Sequence, residues 1–212
     1  MNTNVPGPRR SGFTLIELLT VLAVVGLLLA ILLPSISAAR VATQRAQTKA
    51  RFAQWATAME LFRQEYGHYP LVSRAGKLDP ERFAAALLGR SALSGEPLEE
   101  SANADELAGN VKRLAFYSLE PAEVSDDGAA LVDAFGNSDI AVRVDWNGDG
   151  RIGPEDTLPG ESAAWPPVGG ASGAEWAPPA ETMHAGGRVL ARVVFYSAGR
   201  GQSASDLVLS WR

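Results

Sequence analysis

The sequence contains no cysteine, and its only histidines are His68 and His184. Without cysteine the chain can form neither disulfides nor thiolate metal ligands, and it has no thiol nucleophile. No nucleophile elbow or phosphate-binding loop accompanies the two histidines, so the sequence offers little for covalent or acid–base catalysis. We therefore expect a protein that is not an enzyme.

The sequence also lacks an excess of positive charge. Its 19 Lys and Arg residues oppose 24 Asp and Glu residues, and this balance argues against nucleic acid as the main partner. The first 66 residues carry seven Lys and Arg against three Glu, whereas the remaining residues carry twelve against twenty-one Asp and Glu. A basic arm followed by an acidic body indicates two functional parts.

Residues 13–33 form one apolar run, interrupted only by Thr14, Glu17 and Thr20. A helix of this length spans about 30 Å, the thickness of the hydrocarbon core of a bilayer. The run therefore predicts a membrane-spanning helix. A carboxylate inside a bilayer costs about 2.5–3.5 kcal/mol, so Glu17 needs a functional partner or a position near the interface.

Charge alone leaves the orientation of this segment open. Arg9 and Arg10 precede the run and favour a cytoplasmic N-terminus, but basic residues also follow it. An ordinary secretory signal peptide, cleaved near residues 37–39, and a plain transmembrane anchor are alternative interpretations. The length of the run and the presence of Glu17 argue against the signal peptide.

Residues 11–19, with the sequence SGFTLIELL, resemble the class III signal of type IV prepilins and type II secretion pseudopilins. The resemblance implies that prepilin peptidase cleaves between Gly12 and Phe13 and that Phe13 is then N-methylated. It also implies that Glu17 pairs with the new α-amino group of a neighbouring subunit during assembly. Such serial pairing would produce a head-to-tail helical polymer.

The same resemblance implies a division of the chain into four parts. These are a leader peptide (1–12), a transmembrane and assembly helix (13–33), the extramembrane half of the same helix (34–66) and a globular head with loop insertions (67–212). The expected partners are identical or related pilin subunits, the peptidase and an inner-membrane assembly platform. The expected location is the inner membrane, with a single span and an extracytoplasmic head, and then the pseudopilus or pilus fibre.

Beyond the membrane segment, large apolar residues recur at spacings of 3, 4, 3 and 4, at Phe52, Trp55, Met59, Phe62 and Tyr66. This pattern predicts one helix face packed against a core. Gly67 and Pro70 mark the end of that helix, which is about 50 residues long. Residues 62–70 resemble the corresponding exit into the head of major pseudopilins.

The head is predicted to be mainly β. Asp79 and Pro80 begin a short helix that ends near Gly89, and a further short helix is expected at 104–109. Strands are expected at 114–119, 139–145, 189–196 and 206–211. The Pro- and Gly-rich residues 158–183 are expected to form an irregular insertion outside the core. The predicted fold is α+β and pilin-like, with the long N-terminal helix packed on a small antiparallel sheet.

Residues 145–156, DWNGDGRIGPED, fit the twelve-residue EF-hand pattern for calcium. The predicted ligands are Asp145, Asn147, Asp149, the backbone carbonyl of Arg151, and Asp156. Ca²⁺ prefers six to eight hard oxygen ligands, which a tight loop can supply. The alternative is a simple Asn-Gly or Asp-Gly turn between two strands, which uses the same residue types.

Together these features predict a structural subunit of a type II secretion pseudopilus or type IV-like pilus. One alternative is a minor or tip pilin with an adhesive or DNA-uptake role. Another is a membrane-anchored extracytoplasmic binding protein. Trp165 and Trp176 lie in the insertion, where they either bind a sugar or partner subunit or pack the loop onto the head.

Overall fold

The computed structural model describes residues 13–98, 108–158, 161–170 and 173–212. The predicted leader, residues 1–12, lies outside the described residues, as does most of the helix predicted at 104–109. The chain divides into two compact units, Met1–Ala42 and Thr43–Arg212, which we call the N-terminal unit and the head.

The helix α1 comprises residues Leu15–Tyr66 and contributes to both units. In the N-terminal unit every residue from 13 to 31 is exposed, although most of these side chains are apolar. By length and composition α1 is able to cross a membrane. An apolar surface of this extent marks a membrane or protein contact.

In the head, α1 provides one wall of the main core. Phe52, Trp55, Met59 and Phe62 are fully buried, and Tyr66 is partly buried, which confirms the predicted apolar face. The helix ends as expected at Tyr66, because Gly67 takes a left-handed conformation (φ +81°) and its N–H donates to the Arg63 carbonyl at 2.8 Å.

A five-stranded antiparallel sheet provides the opposite wall. In the order in which they lie in the sheet, its strands are β1 (Ser73–Arg74), β2 (Lys77–Leu78), β3 (Ile140–Val144), β6 (Val193–Ser197) and β7 (Val208–Leu209). The central pair is β3 and β6, with Val142 opposite Phe195. The ring of Phe195 lies 5.8 Å from that of Phe52 and 5.6 Å from that of Trp55, measured between centroids. The predicted α+β pilin-like fold is confirmed.

The short helix predicted after Asp79 is also present. The Asp79 carboxylate accepts hydrogen bonds from the N–H groups of Glu81 and Arg82, which caps the helix α2 (Pro80–Phe83). The chain continues as a π-helical turn, Ala84–Leu88, which the sequence analysis did not foresee, and it ends at Gly89 with φ +65°. This turn is wholly buried.

The prediction of a strand at 114–119 is wrong. The backbone N–H groups of this segment bond to one side chain and to one carbonyl instead of to a neighbouring strand. The N–H of Leu114 donates to the Asn110 side chain, and the N–H groups of Phe116 and Tyr117 both donate to the carbonyl of Leu87. The strand predicted at 189–196 starts late, at Val193, because Val189 pairs instead with Ile152.

Residues 158–183 contain more structure than predicted. A two-stranded hairpin pairs β4 (Val168–Gly169) with β5 (Glu175–Trp176), and Val168 is fully buried against a second core cluster that includes Tyr196. The expectation that this segment lies outside the core is therefore wrong at Val168. Proline and glycine shorten strands but do not prevent apolar residues between them from being buried.

Asn110 is fully buried and connects the π-helical turn to the segment that follows it. Its amide group donates to the carbonyls of Ala85, Ala86 and Leu114, while its oxygen accepts from the N–H of Leu114 and the hydroxyl of Tyr66. Its role is to satisfy backbone groups that no strand or regular helix satisfies.

We expect Asn110→Ala to lower the free energy of unfolding by about 3 kcal/mol or more, because buried carbonyls would lose their donors. Urea unfolding of the detergent-solubilised chain measures this change. The exposed side chain of Gln202 provides the control, and Gln202→Ala should change stability by less than about 0.5 kcal/mol. A loss below about 1 kcal/mol for Asn110→Ala would contradict the assignment.

Candidate functional site

Glu17 lies in the first turn of α1, where it forms a capping box with Thr14. Its Oε2 atom accepts hydrogen bonds from the Thr14 N–H at 3.1 Å and the Thr14 hydroxyl at 2.9 Å, and the Glu17 N–H donates to the Thr14 hydroxyl at 3.3 Å. Such reciprocal bonds satisfy the free donors at the start of a helix. Glu17 therefore helps to start the helix, and the assembly role given to it stays a prediction.

Apart from Thr14 and Thr20, the residues of the run around Glu17 are apolar. Glu17 is the only acidic residue among residues 13–42, and its neighbours Ile16 and Leu18 are 67% and 58% exposed. No hydrogen bond to Oε1 is found within the described residues, so that oxygen remains available to a donor from outside the subunit. Phe13, the predicted first residue of the processed chain, is 82% exposed directly before the capping residue.

The predicted calcium loop follows directly after β3. Its first residue, Asp145, is buried, and its carboxylate accepts hydrogen bonds from the amides of Gly148, Asp149 and Gly150 at 2.7–3.2 Å. These bonds wrap residues 145–150 around one carboxylate. The left-handed Gly148 and Gly150, with φ +77° and +81°, allow this tight path.

The last loop residue, Asp156, is brought back beside the first. Its carboxylate accepts from the amides of Trp146 at 3.1 Å and Gly153 at 2.9 Å, and its side chain is also buried. Burial raises the pKa of Asp156, and the nearby Asp145 carboxylate adds to this effect, against the lowering influence of the amide donors. The two buried carboxylates therefore lie close enough to repel each other.

The middle residues of the loop are placed differently. Asn147 and Asp149 are exposed, and their side-chain oxygens accept from the amides of Asp149 and Arg151, respectively. No group of three or more His, Asp or Glu side chains positioned to hold a metal occurs within the described residues. The structure thus unites Asp145 with Asp156, while calcium binding by the full predicted set stays a prediction.

The loop is attached to the head through Ile152. Ile152 is fully buried, and it exchanges two backbone hydrogen bonds with Val189, at 2.8 and 2.9 Å. Glu155 also pairs with Arg188 at 2.9 Å. A turn of four residues needs none of these contacts, so residues 145–156 act as one structural unit.

Arg143 is a buried residue of this region that the sequence analysis missed. From β3 its guanidinium donates to the main-chain oxygens of Asp156, Ser162 and Ala164. It also lies over the ring of Trp165, 5.7 Å from the centroid. The sequence signal that could have identified Arg143 is a charged residue within the otherwise apolar strand sequence IAVRV.

The two tryptophans of the insertion pack onto the head. Trp165 lies 5.9 Å from Tyr196 and 5.6 Å from Trp211, between ring centroids, and its indole N–H donates to the Gly187 carbonyl. Trp176 is partly buried against the same cluster. Of the two interpretations given for these residues, packing is therefore the one that the contacts support.

Comparison with known proteins identifies the N-terminal segment. Residues 7–33 match the family model for the prokaryotic N-terminal methylation motif. No curated protein and no solved structure matches the chain. The matched motif is the signature of prepilin-type signals and includes Gly12, Phe13 and Glu17. The chain therefore carries the prepilin-type signal that is typical of type IV pilins and pseudopilins, together with an α+β fold that is pilin-like.

Proposed function

We propose that the chain is a structural fibre subunit, of a type II secretion pseudopilus or a type IV-like pilus, that polymerises through its N-terminal helix. The observation that carries the proposal is the methylation motif followed by an exposed apolar helix with a single carboxylate in its first turn. In this proposal prepilin peptidase processes the chain, and an inner-membrane platform assembles it. The head lies on the extracytoplasmic side and has no catalytic role.

The first turn of α1 supports a physical account of assembly. Cleavage after Gly12 would create an α-amino group at Phe13, one residue before the cap. In the stored subunit, Thr14 partly satisfies the Glu17 carboxylate through Oε2. A buried carboxylate gains far more from an opposite charge in a low-dielectric environment than in water. The free Oε1 of one subunit and the amino group of the next form such a pair.

The exposed apolar surface of residues 13–31 supports the same account. In the membrane these side chains contact lipid, and in a fibre the helices of neighbouring subunits would cover them. Lipid tails are as apolar as these side chains, so apolar packing alone distinguishes the two environments weakly. The charge pair at Glu17 then provides the specificity and the register of assembly.

N-terminal mass spectrometry of membranes and sheared fibres tests the processing step. We expect a chain that begins at N-methyl-Phe13 and lacks the first twelve residues. Gly12→Leu, which places a bulky side chain at the cut, should retain Met1. A wild-type chain that begins near Arg40 would indicate an ordinary signal peptide, and a wild-type chain that retains the leader would indicate a simple anchor; either result would overturn the proposal.

Glu17→Ala tests the assembly step. We expect this variant to insert into the membrane at the wild-type level, since it removes a charge from the apolar run, but to yield at least about tenfold less fibre. Shearing followed by immunoblotting measures the fibre fraction. Thr20→Val, which removes another polar group from the span, is the matched control and should assemble normally. Normal fibres from Glu17→Ala would disprove the pairing.

We also propose that residues 145–156 bind Ca²⁺ in a structural role. The support is the close placement of the buried carboxylates of Asp145 and Asp156, whose repulsion a cation would relieve. Asn147, Asp149 and the carbonyl of Arg151 are the remaining oxygen donors that the pattern assigns. Ion binding would stabilise the loop and, through Ile152 and Arg143, the segments attached to it.

Thermal unfolding with calcium and with chelator tests this second proposal. A ligand at about 100 times its Kd adds about 2.7 kcal/mol, so the Tm of the wild-type chain should rise by several degrees. Asp145→Ala should abolish the rise. Asp127→Ala, at an exposed aspartate outside the loop, should preserve it. The absence of a rise in the wild-type chain would refute calcium binding.

A further inference from the structure

A groove at one side of the head carries an unusual excess of positive charge. It has a volume of about 440 Å³, and its lining includes Arg45, Lys49 and Arg212 against a single acid, Glu181. The head as a whole has sixteen Lys and Arg residues against twenty-three Asp and Glu residues. We call this feature the basic groove, and its local charge is opposite to that of the head around it.

The cations of the basic groove are held by main-chain oxygens. Arg45 donates to the carbonyl of Ser205 at 3.1 Å, and Lys49 donates to the main-chain oxygen of Arg212. Within the described residues no Asp or Glu side chain forms an ion pair with Arg45, Lys49 or Arg212. The Nε of Arg45 is also buried without a hydrogen-bond partner. The cations that line the groove therefore have no acidic side chain paired with them within the described residues.

A turn at residues 125–130, the acidic turn, presents the opposite charge. Its ends are joined by the hydrogen bond from the Ser125 N–H to the Ala130 carbonyl, at 2.8 Å, and by the bridge between Val124 and Leu131. Asp126 and Asp127 are exposed at its tip, and neither forms an ion pair within the described residues. A rigid turn with two carboxylates loses little conformational entropy on binding.

The basic groove and the acidic turn lie on different flanks of the head. Arg45 and Lys49 are one turn apart on α1, whereas Gln47 and Arg51 line a second cavity together with Asp126. At about 100° per residue, the mean directions of these two pairs around the helix axis are about 160° apart. The groove and the turn of one subunit therefore face opposite ways and cannot pair with each other.

From this arrangement we propose that the basic groove of one subunit receives the acidic turn of a second copy of this chain. Two different patches on opposite flanks make a heterologous contact, which generates an open helical array when it repeats. The charges that face each other are complementary, and such pairing fixes register and excludes wrong partners. The inference rests on the proposed function as a fibre subunit, and it adds the contact between heads to the contact between helices.

Disulfide cross-linking tests the contact without removing a charge. Ser205 lines the groove and Ala129 belongs to the turn, and both are exposed. Because the chain has no cysteine, Ser205→Cys/Ala129→Cys introduces the only two thiols of each subunit. We expect oxidised fibres of the full chain to show a ladder of covalent multimers, whereas each single variant should give no covalent dimer, because the groove and the turn pair with each other and not with themselves. Fibres without a ladder would overturn this contact and leave the proposed function intact, whereas a wild-type chain that forms no fibre would remove both.

Charge reversal gives a second, independent readout. Arg45→Glu/Lys49→Glu and Asp126→Lys/Asp127→Lys should each reduce the fibre fraction by about tenfold or more, since like charges would meet. The variant with all four changes should recover most of the fibre. Failure to recover, with heads that unfold at the wild-type temperature, would contradict the proposal. Loss of membrane retention on groove reversal, with an unchanged fibre fraction, would assign the groove to lipid headgroups instead.

Discussion

The head depends on one contact, the packing of the α1 apolar face against β6. Trp55 is surrounded by Phe52, Phe83 and Phe195, with ring centroids 5.4–5.6 Å away. Each fully buried side chain of this size contributes about 1.5–3 kcal/mol. The strands outside the central pair are only two residues long, so they add few hydrogen bonds of their own. The sheet holds together because its central strands are fixed to the helix.

Buried polar side chains replace regular structure in the rest of the head. Asn110 bonds to the carbonyls of the π-helical turn, and Arg143 donates to the carbonyls of Asp156, at the end of the predicted calcium loop, and of Ser162 beyond it. Asp133 accepts from the amides of Phe135 and Asn137 and from the Ser197 hydroxyl, and so attaches another loop to β6. A head with long loops and few strands needs such groups, because buried backbone amides and carbonyls must find partners.

Charge is used differently in the two units. In the N-terminal unit a single carboxylate lies in an apolar surface, where the alternative partners are its own Thr14 and, in the proposed fibre, a neighbouring amino group. In the head, charges of both signs are abundant, and their arrangement matters more than their number. The carboxylates of Asp145 and Asp156 are buried, and in the proposed calcium site the cost of burying them would favour binding of a cation. The basic groove and the acidic turn are at the surface, and they would act through the opposite charges that two copies of the chain bring together.

The sequence alone determined the N-terminal signal, the long helix, its buried face and the α+β class. These features follow from local rules, namely the length of an apolar run, a 3,4 periodicity and the glycine and proline at the helix end. The helix after Asp79 and the strand at 140–144 were equally local and correctly predicted. The acidic pattern of residues 145–156 was visible, and its first and last residues do come together.

Only the tertiary structure decided how the irregular segments are held. Residues 114–119 look like a strand locally, yet the Asn110 side chain and the Leu87 carbonyl take up their backbone groups. Val168 is buried because a hairpin that is distant in sequence from β6 packs on Tyr196. The positions of the basic groove and the acidic turn on different flanks of the head likewise depend on how remote segments fold around α1. Long-range contacts of this kind leave no periodic trace in the sequence, because each is made by one side chain rather than by a repeating face.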